Sequence, residues 1–234
     1  MLDTRTPSVA RAYDHLLGGE ASFAADRALA GRLVALYPQL QDTLISSRRQ
    51  AADAVARLAR QGVDQYLDVG AGLPTRPSTH ATARALLPAA RVAYIDRDPL
   101  VVEHGTDLVP PGVRYYGGDL TEPEALIAAL AGAIDFSRPV CLVLALVVQA
   151  VEPGTARAVV GVLVKALPPG SYLVATVGAG DDGRLPDAVW PAAAAEADLS
   201  AFFGGLDLLP PGISRVGEVL AGVGVKPYPA RPRG

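Results

Sequence analysis

The chain has 234 residues, half of them hydrophobic, and a formal net charge of −3 at pH 7. This is enough apolar sequence for one large core or two small ones, and the acidic balance excludes a basic surface for nucleic acid or an anionic membrane. The single cysteine, Cys141, excludes an internal disulfide framework. No N-terminal signal core or run of about 20 apolar residues is present, so we expect a soluble cytoplasmic protein.

Residues 1–40 carry only helical patterns and are expected to form a helical cap. Thr6-Pro7 offers an N-cap followed by a proline at the first helical position. Gly18-Gly19 ends this helix, and a second helical pattern runs from about Phe23 to Tyr37. A third helix is predicted from about Asp42 to Arg60.

From residue 65 onward, short apolar strands alternate with helical segments. The predicted strands are 65–69, 91–96, 113–116, 140–148 and 171–177. The helices after the first four strands are expected to begin near Thr75, Pro99, Thr121 and Gly154, with Asp98 as an N-cap and Thr121 and Glu124 as a capping box. This alternation predicts a parallel sheet covered by helices, with right-handed crossovers.

The C-terminal part is less regular. A helix is predicted near 192–203, strands near 206–209 and 213–216, and a loose proline-rich tail over 227–234. The main domain is therefore predicted to span 41–226.

A glycine loop, LDVGAGLPT at 67–75, follows the first strand. Gly70 and Gly72 let the backbone pass under a ligand without an intervening Cβ. A dinucleotide-binding loop needs a third glycine beside the pyrophosphate, whereas Leu73-Pro74 adds bulk here and removes an N–H donor. The loop fits a nucleoside without a diphosphate, of which S-adenosylmethionine (SAM) is the obvious candidate. Taken alone, it could equally be a tight turn between strand and helix.

Two further carboxylates follow the next two predicted strands. Asp96 lies 28 residues after Asp68 (96 − 68), where a carboxylate can accept hydrogen bonds from both ribose hydroxyls. Asp119 follows Gly117-Gly118 and could accept from an adenine amino group or be a turn aspartate. Because the carboxyl ends of parallel strands meet at one edge of a sheet, these groups together predict one nucleoside site.

Six stretches distributed over almost the whole chain resemble a single bacterial family. They are VARAYDHLLGGEASFAADR, LDVGAGLPT, YIDRDP, GGDL, FSRPVCLVLALVV and LPPGSYLV, and the resemblance runs from about residue 5 to 227. The family consists of SAM-dependent methyltransferases long catalogued as a domain of unknown function. It implies an α/β, Rossmann-like class I methyltransferase fold: a three-layer sandwich with a mostly parallel seven-stranded sheet, an antiparallel final hairpin and an N-terminal helical cap over the SAM site.

By position, the resemblance also implies a set of residues in contact with SAM. These are Tyr13, Arg48, Asp68, Gly70, Gly72, Leu73, Thr75, Asp96, Arg97, Gly118, Asp119, Leu120, Ala145 and Leu146. Asp96 would hold the ribose, Asp119 the adenine, and Arg48 the methionine carboxylate. Arg48 could instead belong to a solvated helix face.

The chain departs from the family on the side where the methyl acceptor would bind. Gln149 replaces a family histidine after the fourth strand, and a second family histidine near Val177 is also missing, so two groups that exchange protons near neutral pH are lost. The family also has an asparagine where this chain has Arg97, and a lysine where this chain has Glu20. The catalytic candidates are Tyr13, His15 and Gln149, with Asp14 as a further group that could take the acceptor's proton.

Three functions remain open on this basis. The first is transfer of the SAM methyl group to a small-molecule acceptor. The second is a lyase reaction in which the aminobutyrate chain of SAM closes on itself, giving a small-ring amino acid and methylthioadenosine. The third is non-catalytic SAM binding. An NAD(H) enzyme is disfavoured because Thr75 stands where the third glycine belongs.

Few other residues indicate a function. His15, His80 and His104 lack metal-ligand spacing, so we expect no metal. Trp190 is expected to border a loop over the end of the fifth strand, where it could touch a substrate. The sequence does not indicate an oligomeric state.

Overall fold

The computed structural model describes residues 3–179 and 196–229, with backbone alone over 196–198. The helices are α1 (Val9–Leu16), α2 (Ala24–Leu36), α3 (Leu40–Arg60), α4 (Thr79–Leu86), α5 (Pro99–Leu108), α6 (Pro123–Ala129), α7 (Pro153–Ala166) and α8 (Glu196–Phe202), with a 3₁₀ turn at Val148–Ala150. The strands are β1 (Gln65–Val69), β2 (Arg91–Asp96), β3 (Val113–Gly117), β4 (Cys141–Ala145), β5 (Tyr172–Gly178), β6 (Asp207–Leu208), β7 (Ser214–Val216) and β8 (Val219–Val225).

The strands form one sheet with seven positions. Their order is β3-β2-β1-β4-β5-β8-β6, and β7 also pairs with β8. β1 to β5 are parallel, whereas β8 runs antiparallel to β5. β6 and β7 pair with successive parts of β8 and therefore share the edge position. The expected mostly parallel seven-stranded sheet with an antiparallel final hairpin is confirmed.

Helices cover both faces of the sheet, which makes the expected three layers. One apolar core lies between the sheet and α6, α7 and α8, and the other lies between the sheet and α3, α4 and α5. A third, smaller cluster joins α1 and α2 to the start of α3, with Ala12, Leu33 and Leu44 among its buried members. This cluster holds the cap (α1 and α2) above the carboxyl ends of the strands.

Two of the helix starts that differ from prediction have an aspartate side chain that accepts from a backbone N–H group nearby. α1 begins after Ser8 rather than Thr6-Pro7, and the Ser8 N–H donates to Asp26 Oδ1 at 2.8 Å. The Thr121–Glu124 capping box does not form, because the Thr121 N–H and hydroxyl both donate to Asp119 Oδ1. By contrast, Asp98 caps α5 as predicted, accepting from the Leu100 N–H at 2.9 Å.

α4 begins at Thr79 rather than near Thr75, so the glycine loop is longer than predicted. The Thr75 N–H donates to the Leu73 carbonyl oxygen at 2.8 Å, which closes a turn instead of starting a helix. Pro77, without an N–H, follows within the same loop.

The residue pattern did not predict strand β8, because glycines within a strand weaken its signal. The ring of Phe203 explains why glycine is needed at two of these positions. A Cβ at Gly222 would lie 2.9 Å from this ring, and a Cβ at Gly224 would lie 2.8 Å from it. Trp190 and the part of the predicted 192–203 helix before Glu196 lie outside the described residues, as does the tail beyond 229. None of the described helices is long and apolar enough to cross a bilayer.

Candidate functional site

A cavity of about 240 Å³ lies at the carboxyl ends of β1 to β4, beneath α1 and beside α3. The strand order reverses between β1 and β4 at this point, which is where open α/β sheets bind ligands. Its wall contains every residue predicted to contact SAM except Thr75.

Two parts of the wall differ in composition. The strand-end half follows β1, β2 and β3, is completed by Arg48 of α3, and consists of Arg48, Asp68, Gly70, Ala71, Gly72, Asp96, Arg97, Gly118, Asp119 and Leu120. The cap-side half comes from α1, α3 and the segment after β4, and consists of Val9, Ala10, Tyr13, Leu17, Leu44, Ser47, Leu146, Val147, Ala150 and Val151. The strand-end half is polar, whereas the cap-side half is mainly apolar.

The glycine loop needs glycine at both predicted positions. Gly70 and Gly72 have φ of +68° and +59°, a region that L side chains rarely adopt. A Cβ at Gly70 would also lie 2.0 Å from Val147 Cγ2. The loop is pinned to β2, since the N–H groups of Gly70 and Ala71 both donate to the Ile95 carbonyl oxygen.

Side chains already occupy the N-terminus of α4, the position at which a dinucleotide fold holds a pyrophosphate. The Tyr94 hydroxyl accepts from the His80 N–H at 2.8 Å. The Thr79 hydroxyl donates to Asp68 Oδ2 at 2.6 Å, which places a carboxylate beside the same helix end. A diphosphate would have to displace the tyrosine and approach this carboxylate.

Asp96 is held rigidly at the end of β2. It is 5% exposed, its Oδ1 accepts from the Asp98 N–H at 2.9 Å, and its Oδ2 accepts from the Gly72 N–H at 2.8 Å. Each oxygen can accept one further hydrogen bond, and Asp96 lines the cavity. Burial raises the pKa of Asp96 above its ordinary value, although its backbone bonds oppose that shift.

Asp119 occupies the corresponding place after β3. Partial burial would raise its pKa, but the two bonds from Thr121 outweigh burial and lower the pKa, so this side chain is a carboxylate at neutral pH. Its Oδ2 lies 3.9 Å from Arg97 Nη1, at the exposed rim of the cavity.

Arg48 lies against the C-terminal end of the glycine loop. Its Nη2 donates to the Leu73 carbonyl oxygen at 2.9 Å and its Nη1 to the Thr75 carbonyl oxygen at 2.8 Å. Thr75 itself does not line the wall, since its hydroxyl donates to Asp14 Oδ1 of the cap at 2.7 Å. Thr75 therefore connects Arg48 to α1.

Asp68 carries the clearest electrostatic signature in the wall. Burial raises its pKa to about 6, with the Thr79 bond and Arg48 acting in the opposite direction. Asp68, Asp96 and Asp119 face Arg48 and Arg97, so carboxylates outnumber guanidinium groups along the cavity. Such a wall favours a ligand with net positive charge over a diphosphate.

The comparisons with known proteins agree with this geometry. The family model described as S-adenosyl methyltransferase matches residues 1–222. The chain belongs to this family. No curated protein matches it.

Two solved structures share its sequence as well as its fold. One, from Thermobifida fusca YX and assigned as a methyltransferase, is 33% identical over 97% of both chains, with a TM-score of 0.87. The other, a DUF574 family protein from Streptomyces avermitilis MA-4680, is 29% identical over 97% of this chain and 100% of its own, with a TM-score of 0.88. The expected family, catalogued as a domain of unknown function, is confirmed.

A more distant structure shares the fold alone. The N-methyltransferase NodS from Bradyrhizobium japonicum WM9, in complex with S-adenosyl-L-homocysteine (SAH), is 15% identical over 94% of this chain and 99% of its own, with a TM-score of 0.57. Because the present chain belongs to the S-adenosyl methyltransferase family, its cofactor is SAM, which carries the methyl group on a positively charged sulfur. The acidic, diphosphate-excluding wall fits it.

The predicted catalytic residues are placed less favourably in this methyltransferase. His15 is exposed and absent from the wall, because a residue two positions after Tyr13 points to a different side of α1. Gln149 is buried behind the wall, and its Oε1 accepts from the Gly178 N–H at 2.7 Å. Its Nε2 has no hydrogen-bond partner among the described residues. The structure therefore brings neither residue to the cavity.

Tyr13 does line the cavity, but burial raises its pKa well above the ordinary value. It is a neutral phenol at physiological pH, able to donate a hydrogen bond but unsuited to act as a base.

The absence of a bound metal stays a prediction. Among the described residues, no three His, Cys, Asp or Glu side chains cluster as metal ligands would.

Sequence reasoning missed three wall residues with a detectable signal. Leu44, Ser47 and Ala51 are spaced with Arg48 as one face of a helix. It also missed Leu146's strained backbone, whose φ of +56° is unusual for a non-glycine residue. Nothing in a single sequence indicates that strain.

Proposed function

We propose that this methyltransferase transfers the methyl group of SAM to a small-molecule acceptor held in the cap-side half of the cavity. The supporting observation is the continuity of the wall: fixed polar groups at the strand ends lead directly into an apolar space under α1. The strand-end half is suited to a charged nucleoside, and the cap-side half is suited to an uncharged part of an acceptor molecule.

The strand-end half would hold SAM by its polar parts. Asp96 would accept from the ribose hydroxyls and Asp119 Oδ2 from the adenine amino group. Arg48, aligned by the Leu73 and Thr75 carbonyl oxygens, would pair with the carboxylate of the methionine arm. Asp68 would then face the ammonium group of that arm.

The cap-side half would contribute orientation and exclusion of water. Its apolar side chains, such as Leu17, Leu44 and Val151, remove solvent from the space beside the methyl donor. Holding a nucleophile in line is the main requirement for such a transfer. Asp14, a candidate base, is instead bonded to the Thr75 hydroxyl and the Ala21 N–H.

The test is incubation of the purified protein with SAM, first alone and then with panels of small-molecule nucleophiles, followed by mass spectrometry. The proposal expects intact SAM in the first case, and SAH plus one methylated product in the second. The variant Asp96→Ala serves as the inactive control. Methylthioadenosine with a ring amino acid from SAM alone would replace the proposal with the lyase reaction. Intact SAM with every acceptor would favour the non-catalytic binder.

A further inference from the structure

A chain of hydrogen bonds joins the cap to the strand-end half through residues that do not line the cavity. We propose that Arg11 is a positioning residue, which holds Asp96 in place through Asp98 and so couples docking of the cap to alignment of the ribose site. This inference rests on the proposed use of Asp96 for the ribose.

Arg11 uses all of its nitrogens in this position. It is 3% exposed, and its Nε donates to Asp26 Oδ2 at 2.9 Å, its Nη1 to Asp98 Oδ2 at 2.7 Å, and its Nη2 to the Thr6 carbonyl oxygen at 2.8 Å. The guanidinium carbon also lies 5.6 Å from the centre of the Phe23 ring. Only a planar fork of donors reaches these three acceptors together.

Asp26 ties the two helices of the cap to Arg11. It is fully buried, and it accepts from the N–H groups of Ser8, at the start of α1, and Phe23, at the start of α2. Burial would raise its pKa, but the bonds from Arg11, Ser8 and Phe23 together outweigh burial and lower the pKa. Asp26 is therefore a carboxylate whose buried charge Arg11 compensates.

Asp98 carries the connection into the main domain. Its Oδ1 caps α5 through the Leu100 N–H, which leaves Oδ2 for Arg11. Its own N–H donates to Asp96 Oδ1, and Asp96 Oδ2 in turn accepts from the Gly72 N–H. The bonds thus run without interruption from the cap to the glycine loop.

The same stretch of α1 supplies part of the cavity wall. Ala10 and Tyr13, on either side of Arg11 in sequence, line the cavity. The Cβ of Ala10 would lie 3.8 Å from a Cβ built on Gly72. Fixing Arg11 therefore fixes both the wall above the ligand and the carboxylate beside it.

The test uses Arg11→Lys, which keeps the charge but loses the fork. Calorimetry measures binding of SAH and of its 2′-deoxy analogue, which lacks one ribose hydroxyl. We expect the wild type to prefer SAH by about tenfold, the worth of one hydrogen bond to a charged group. Arg11→Lys should bind SAH about tenfold more weakly and lose most of that preference. A purely structural role would weaken both ligands equally and leave the preference intact, which would overturn the proposal.

The matched control is Arg84→Lys. Arg84 also donates to backbone carbonyl oxygens, those of Ala90 and Pro111, but it touches neither cap nor cavity. The Arg84→Lys variant should retain the wild-type affinity for SAH and the wild-type preference for SAH over the deoxy analogue. A loss of preference in Arg84→Lys equal to that in Arg11→Lys would overturn the proposal.

Two further variants keep the proposal testable if Arg11→Lys does not fold. Arg11→Met combined with Asp26→Asn removes both buried charges together, and Asp98→Asn retains the backbone N–H to Asp96 while losing the charge that faces Arg11. Each should reduce the preference for SAH over the deoxy analogue. A wild type that does not bind SAH would contradict the proposed function itself. A wild type that binds SAH, with variants that keep its preference, would contradict only the role of Arg11.

Discussion

The strand-end half and the cap-side half of the cavity are held in place by different contacts. In the strand-end half, neighbouring parallel strands bring Asp68, Asp96 and Asp119 to one edge, and backbone N–H groups fix each loop. In the cap-side half, apolar packing joins α1, α3 and the segment after β4. Its main buried polar pair, Ser47 with Thr176, links residues 129 positions apart.

This difference separates two tasks. Fixed carboxylates and an aligned guanidinium recognise a ligand by charge and hydrogen bonding, so single changes there should have large effects on SAM binding. Apolar walls recognise shape, and single changes there should have small effects on the same measurement. The following variants test that division.

Asp96→Ala should have the largest effect. It removes the two oxygens proposed to accept from the ribose hydroxyls and releases the Gly72 and Asp98 N–H groups. We expect SAH affinity to fall by about 100-fold, the equivalent of two hydrogen bonds to a charged group. Isothermal titration calorimetry checks this, with Asp107→Ala, an exposed aspartate of α5, as the control. Affinity within a few-fold of wild type would show that Asp96 does not hold the ribose.

Arg48→Met should act on one part of the ligand only. Without the aligned guanidinium, we expect SAH to bind about 10-fold more weakly. Methylthioadenosine, which lacks the carboxylate, should bind equally well to variant and wild type. Arg49→Met, at the exposed neighbouring position on α3, is the matched control. Equal weakening of both ligands would remove Arg48 from carboxylate recognition.

SAM affinity should also depend on pH. Because the pKa of Asp68 is raised to about 6, mainly by burial, this group is largely protonated at pH 5 and ionised at pH 7. The ammonium group of SAM, which we propose faces Asp68, favours the ionised form, so affinity for SAM should rise about tenfold from pH 5 to pH 7. The raised pKa of Asp96 acts in the same direction.

Asp68→Asn isolates the contribution of Asp68 to this pH dependence. The variant should bind SAM more weakly at pH 7 and show a shallower rise between pH 5 and pH 7. An unchanged slope in calorimetric titrations would assign the pH dependence to another group.

Leu17→Ala should have the smallest effect. Leu17 lies in the apolar cap-side half, at the end of α1. We expect SAH affinity within about twofold of wild type, as for substitutions away from polar networks. His15→Ala, exposed on the same helix, should match it. A large loss of SAH affinity in Leu17→Ala would place the cofactor in the cap-side half and erase the distinction between the halves.

The same distinction explains how much the sequence could predict. β1 and β2 have their predicted bounds, and Asp98 caps α5 as expected, because strand periodicity and an N-cap followed by proline are local signals. The capping box at Thr121 failed because Asp119 competes for the same donors.

Other features depend on contacts that no local pattern shows. Arg11 bonds to Asp98 from 87 positions away, and the Phe203 ring packs against Gly222 and Gly224 of β8, where a larger side chain would clash with it. His15 looked favourable because it lies beside Tyr13 in sequence, whereas the turn of the helix directs it elsewhere.

The central claim is that this cavity holds an adenosine with a charged sulfur and excludes a diphosphate. Parallel calorimetric titrations of the protein with SAM and with NAD⁺, at matched concentration and pH 7.5, test it most directly. We expect saturable one-to-one binding of SAM, with no heat from NAD⁺ and no displacement of SAM by it. Binding of NAD⁺ in competition with SAM, or no binding of SAM at all, would contradict the account.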